Sequence, residues 1–313
     1  MRNRCIGLLI MIAGATALFG CTATPDPGEN ERPARTADDK PNFNGIWQVT
    51  NTANWDLLAH TMRPAVTHPG VYEGVDVLGA PVLALGSVGG VPPGPGVVEG
   101  NEIPYTPEAA AQKQDNADHW LDRDPEVRCY LPGTPRAMYM PYPMQIVQGT
   151  GTIFIRFAYA RASRTIHMAE AEPPPDDMWM GFSRGRWDGD TLVVNVTDFN
   201  DRTWFSRAGD FHSSALQLVE RFTPITPDAI HYEVTIEDSN VFTRPWTMSM
   251  VLYRQLETNA ELIDYHCVEM VEETFLGHLR KEQLVKRWEG ETLIVDITRK
   301  VPPGNELYDW YRK

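Results

Sequence analysis

The chain has 313 residues, 42% of them hydrophobic with nine Trp, enough to bury one large core or two ordinary ones, and wholesale disorder is excluded. Its formal net charge of −14 repels nucleic-acid phosphates and gains nothing from anionic lipid surfaces, so nucleic-acid binding is excluded as well. Beyond the N-terminus no apolar run approaches membrane-spanning length.

Arg2 and Arg4 precede a 16-residue apolar run from Cys5 to Gly20, a charged region and a short hydrophobic region that read as an export signal over residues 1–20. Removing those residues takes away two positive charges and no acid, moving the net charge from −14 to −16. Leu18-Phe19-Gly20-Cys21 resembles the lipobox of bacterial lipoproteins. That resemblance implies cleavage before Cys21, acylation of its thiol and new amine, and stable anchoring by three acyl chains. Thr22 stands where an Asp would retain the protein at the inner membrane, which implies the periplasmic face of the outer membrane. The alternative is plain secretion with Cys21 as a free thiol. Residues 21–42 are rich in Pro, charge and Gly without apolar period, the composition of a flexible tether.

Residues 43–142 read as an irregular N-terminal segment with one strand and one helix. Phe43 to Val49 is the strand. The breakers between Gly79 and Pro104, among them Gly89, Gly90, Pro92, Pro93 and Pro95, predict a long loop. Thr106-Pro107-Glu108 then opens a helix, with Thr as N-cap, Pro at the first helical position and Ala109 to Ala111 following. It is expected to reach about Leu121 and stop before Asp124-Pro125.

Residues 143–313 change to short β-type runs, expected near 144–149, 152–160, 163–168, 181–187, 190–197, 215–223, 229–237, 246–254, 261–267, 283–288 and 291–298. The fold class that follows is mainly β, an antiparallel lipocalin-like barrel or a sandwich, packing with 43–142 as one domain. One hairpin is written twice. Arg186-Trp187-Asp188-Gly189-Asp190-Thr191-Leu192 returns as Arg287-Trp288-Glu289-Gly290-Glu291-Thr292-Leu293, at a constant offset of 101. In both copies an acid and a Gly occupy the turn, where positive φ is needed. Once Cys5 leaves with the signal and Cys21 is acylated, Cys129 and Cys267 remain, and in an oxidising compartment they are expected to pair.

The hairpin resembles the Trp-acid-Gly-x-Thr-Leu pattern of fatty-acid-binding proteins, and Gly45-Ile46-Trp47 is similar to the Gly-x-Trp opening of lipocalins. Both are calycin barrels, and the resemblance implies one small apolar ligand inside the barrel. A broader likeness, over most of residues 43–270, is to a family of exported bacterial proteins. It rests on Cys129 to Arg136 (Cys-x-Leu-Pro-Gly-x-Pro-Arg), the first hairpin, Phe199-Asn200-Asp201-x-Thr203-Trp204, His212-Ser213, Glu220-Arg221-Phe222 and Thr243 to Trp246. It implies fold and compartment and transmits no activity.

The nucleotide-loop, nucleophile-elbow and zinc-helix motifs are missing from the sequence. The polar, Trp-bearing stretch 198–213 is the first candidate site, with Trp204 and Ser213 placed to orient a ligand. His212 and Asp201 in that stretch would be an acid–base pair if the protein is an enzyme. The competing reading is that these residues only make turns. Arg164, His167, Glu220 and Arg221 form a second set, able to receive a ligand carboxylate or to pair among themselves. His231, Glu233, His266 and Glu269 would make a metal site only if folding gathered them, and no metal or cofactor is assigned. The expectation is an exported lipoprotein whose barrel holds a small apolar or aromatic molecule. The alternatives are a cofactor-independent acid–base enzyme (hydratase, lyase or isomerase type) using His212 and a carboxylate, and a structural envelope protein.

Overall fold

The computed structural model describes residues 33–65 and 90–267, together with the backbone of short strands at 67–69, 76–78, 286–289 and 292–295. The chain is mainly β and closes a nine-stranded barrel. Its strands are β1 (Gly45–Val49), β2 (Met144–Gln148), β3 (Thr152–Phe157), β4 (Ser163–His167), β5 (Phe182–Asp188), β6 (Thr191–Thr197), β7 (Gln217–Thr226), β8 (Ala229–Glu237) and β9 (Trp246–Arg254). Neighbours in sequence are neighbours in the wall, and β1 completes the ring between β2 and β9. A closed ring with an odd number of strands cannot alternate direction all the way round. The one parallel seam lies between β4 and β5, where Ile166 and His167 pair with Ser183 and Arg184.

That direction count sorts the connections. One end of the barrel joins its staves by tight turns, at 149–151, 189–190 and 227–228, and the crossover 168–181 leaves β4 there. Gly189 sits there at φ +61 with open space around it, as the hairpin turn requires. The other end receives the long insertions 50–143, 198–216 and 238–245, and the crossover 168–181 reaches it to enter β5, as the parallel seam requires. Long loops gathered at one end of a rigid scaffold are where binding surfaces are usually built.

Period-two alternation explains the staves. Ile153, Ile155 and Phe157 are buried while Thr152, Phe154 and Arg156 face out, and β8 alternates in the same way along its length. On β6, Leu192, Val194 and Val196 point inward, and Val193 is buried as well. These side chains join Trp47, Met144, Phe222, Tyr232, Met248 and Leu252 in one continuous core that includes residues of the loop end. The helix forms as its signals predict. Thr106 Oγ1 accepts from the Ala109 amide, and α1 spans Pro107–Asp118. It breaks at His119, whose φ of −121 is non-helical, before a single further turn, α2 (Trp120–Arg123).

The structure corrects the sequence reading in four places. Residues 261–267 are not a strand; they continue from β9 as an irregular segment whose Cys267 is bonded to Cys129. Residues 33–42, expected as the end of the tether, fold into a turn in which Arg35 makes a bidentate ion pair with Asp190 and Lys40 lies over Trp187. The stretch expected to be irregular holds short paired segments at 63–64 with 90–91 and at 67–69 with 76–78, and a 3-10 turn at 99–101. The barrel itself takes its first stave from the N-terminal segment and ends at Arg254. The second copy of the hairpin, β10 (Lys286–Glu289) and β11 (Thr292–Val295), stands in its own two-stranded sheet. It keeps the register of the first copy: Trp288 opposite Leu293 where Trp187 is opposite Leu192.

Candidate functional site

Inside the barrel, Arg164 on β4 meets Glu220 on β7, both essentially inaccessible at 3% and 0% exposure. The guanidinium engages both carboxylate oxygens, its Nε donates to Ser183 Oγ at 2.8 Å, and Tyr232 donates to Glu220 Oε1 at 2.7 Å. Burial works against the Arg164 charge, but Glu220 outweighs it and holds the pKa above its ordinary value. Burial, helped by Glu220, pushes the Tyr232 phenol well above its ordinary range. Of the two readings open for Arg164 and Glu220, the structure shows the internal pair. Arg221, the next residue, faces the other way and lies 3.4 Å from Asp188 on the outer wall. His167 stacks on Phe182 with ring centroids 5.0 Å apart.

The 198–213 stretch closes the loop end of the barrel rather than opening it. Phe199 and Phe205 are buried in the core, and Tyr139 donates to the Phe205 carbonyl at 2.8 Å. His212 is 2% exposed behind them. Its Nε2 is 2.6 Å from Thr203 Oγ1, its Nδ1 is 2.9 Å from the Ser213 carbonyl, and its ring lies against Phe199 and Phe205. Burial holds its pKa below the ordinary value of 6.5, against a smaller upward pull from the Ser213 carbonyl, Asp238 and Asp201. Asp201 is exposed and makes no hydrogen bond to His212. This is the environment of a structural histidine. Ser213 is likewise spent, its amide and hydroxyl both donating to Asp238. Trp204 belongs to a second apolar cluster with Trp120, Leu121 and Val127 under the loops.

A buried charge network holds this loop cap together. Arg136 is bidentate to Asp124 at 2.7 and 2.8 Å and donates from Nε to Asn54 at 2.8 Å. Glu126 pairs with Arg207, whose guanidinium lies 4.4 Å and 5.1 Å from the ring centroids of Trp55 and Trp120. The Cys129-to-Arg136 segment thus has a structural logic. Cys129 forms the disulfide and adopts a left-handed φ of +59, and Gly133 at φ +74 lets the backbone pass where a Cβ would strike Thr203. Thr134 Oγ1 then donates to the Met180 carbonyl at 2.9 Å.

The last contact joins two of the insertions, 50–143 and the crossover, and a third is tied to them in turn. The Met178 amide donates to the Asp198 carbonyl and the Asn200 amide to the Met178 carbonyl, so the end of the crossover is locked to the start of 198–216. Between the three loops lies an open cleft of about 400 Å³. One side is a stack of Tyr130 and Trp179, centroids 5.2 Å apart and planes inclined by 21°, with Tyr130 53% exposed. Arg123, Arg128 and Arg202 line the rest, and Asp122 is the only acid among the described lining residues. Arg123 pairs with Asp115, and Arg128 donates to the backbone carbonyl of Asp122 at 3.0 Å. Among the described residues the Arg202 guanidinium has no hydrogen-bond or ion-pair partner. The sequence alone marks none of Arg128, Tyr130, Trp179 and Arg202 as a site. They lie in three loops without period, and only the barrel topology assembles them.

Among the described residues no cluster of three His, Cys, Asp or Glu side chains is arranged to hold a metal, and Glu269 lies outside them. No helix among them is long and apolar enough to cross a membrane. No protein-family model matches the chain, and no curated protein sequence is detectably similar to it.

Proposed function

We propose that this chain is an exported, lipid-anchored barrel protein that binds a small aromatic molecule at its loop end. The observation that carries the reading is the Tyr130–Trp179 stack, half exposed beside a cleft of about 400 Å³ rather than folded into a core. Clefts of that size with an aromatic wall and a few placed polar groups are the usual form of small-molecule sites. The expected ligand class is kept, and its place moves from the barrel lumen to the loops. The lumen at the level of Arg164 is occupied by the chain's own side chains. The anchor rests on Leu18 to Cys21, and the resemblance to exported bacterial proteins supports the compartment. Their test is separate: Cys21→Ser expressed in a bacterial host should move the mature protein from the membrane to the soluble periplasmic fraction.

The binding reading is tested by mass spectrometry of small molecules carried through native purification, for wild type and Trp179→Ala. An aromatic compound retained by the wild type and lost by the variant is the expected result. Retention by both would place the ligand elsewhere.

A further inference from the structure

The cleft also has a sign. The chain carries 42 acids against 28 Lys and Arg, yet three Arg side chains and one Asp line this hollow. A cationic hollow on an anionic protein requires a reason. Some exposed arginines find carboxylates, as Arg123 does with Asp115 and Arg221 with Asp188, while Arg156, Arg184 and Arg186 on the outer wall have none among the described residues. Arg202 has none either and Arg128 spends a donor only on a backbone carbonyl, but unlike the wall arginines both line a concave site beside an aromatic stack. Beside that stack both keep donors for an acceptor that the described part of the chain does not supply.

We infer that the cleft binds an aromatic anion, its ring against Tyr130 and Trp179 and its carboxylate, or an equivalent oxyanion, on Arg128 and Arg202. The inference rests on the aromatic-ligand reading and adds the charge. A planar guanidinium is matched to two-oxygen anions and forms paired, charge-assisted hydrogen bonds with them. The low-dielectric aromatic wall strengthens that contact relative to open water. The concentration of positive charge in a concave site also draws anions in against the protein's overall repulsion. The three loops that carry Arg128, Trp179 and Arg202 are held to one another by the Thr134–Met180, Met178–Asp198 and Asn200–Met178 hydrogen bonds, so the groups are positioned before a ligand arrives.

The experiment compares 1-naphthoate with its uncharged partner 1-naphthamide by isothermal titration on the full mature chain. It is run on the wild type and on Arg202→Gln, Arg128→Gln and Trp179→Ala, with inorganic phosphate as a ring-free control. Circular dichroism and thermal melts confirm that each variant is folded; Arg202 is exposed, and its substitution leaves the fold intact. Wild type should bind naphthoate at least tenfold more tightly than naphthamide, with affinity falling as salt rises. Each Arg variant should lose roughly tenfold or more for naphthoate and little for naphthamide, the size expected for one hydrogen bond to a charged group. Equal affinity for both naphthalenes, or Arg variants that do not discriminate, would overturn the charge and leave the aromatic reading standing. Phosphate binding that Arg202→Gln removes and Trp179→Ala does not, without naphthoate binding, would overturn the aromatic reading and reduce the site to an anion hollow. No binding of any of the three probes would overturn both.

Discussion

Arg164 and Glu220 join staves a third of the way round the barrel: β5 and β6 lie between their strands, so the pair bridges through the lumen a distance of about 14 Å measured along the wall. Two charges removed from water at that depth are tolerable only together, and Ser183 and Tyr232 complete their hydrogen bonding.

Removing one partner should therefore cost far more than removing both. Glu220→Gln leaves the Arg164 charge buried and is expected to lower the unfolding free energy by about 3–5 kcal/mol in urea titrations. Arg164→Met combined with Glu220→Leu should lie closer to wild type. A single variant as stable as wild type would contradict the buried pairing.

His212 gives acid sensitivity with a defined sign. Its pKa in the folded protein is held below the ordinary 6.5 by burial, so as pH falls through about 6.5 the unfolded chain takes up the proton first. Stability is then lost from that point downward until the folded-state pKa is passed. Unfolding titrations at pH 7.5 and 5.5 should show this drop in wild type and a smaller one in His212→Gln, whatever the variant's own offset at pH 7.5. An equal drop in both would assign the acid sensitivity to other groups.

Two glycines of similar φ should respond differently to the same change. Gly189 (φ +61) has open space, so Gly189→Ala should cost only the left-handed penalty of about 1–2 kcal/mol. Gly181 (φ +68) has Phe199 and Val196 atoms at 2.6 Å from an added Cβ, and Gly181→Ala should cost clearly more. Thermal melts of the two variants decide it.

The Cys129–Cys267 bond spans 138 residues of sequence, and its removal should lower stability by about 2–5 kcal/mol. Comparing the oxidised wild type with a Cys129→Ser, Cys267→Ser double variant measures this directly. A difference under 1 kcal/mol would mean that the reduced unfolded chain is already restrained.

The staves, their faces and the hairpin register were legible because period two and a Gly turn act within a dozen residues. Leu192, Val194 and Val196 on one face, and the Trp187–Leu192 pairing echoed at Trp288–Leu293, follow from that local code. The disulfide was legible from counting cysteines. What escaped depends on long-range partners. Arg136 reads as one more charged residue until Asp124 and Asn54 are brought to it. His212 and Asp201 are close in sequence and chemically suited, yet Phe199 and Phe205 seal the imidazole while Asp201 faces solvent. Residues 261–267 have the composition of a strand but lie beyond a barrel already closed by β1.

The Cys129–Cys267 bond has a mechanical consequence. It turns the stretch between those residues into a covalent hoop that contains β2 through β9, and leaves β1 outside it. Eight staves cannot be drawn apart in sequence without first straining the hoop, whereas β1 enters as a separate latch zipped between β2 and β9. Force arriving from the N-terminal side meets that latch first, through Arg254 donating to the carbonyls of Asn42 and Asn44. The barrel is built to give way at one strand and to keep the rest threaded for its return.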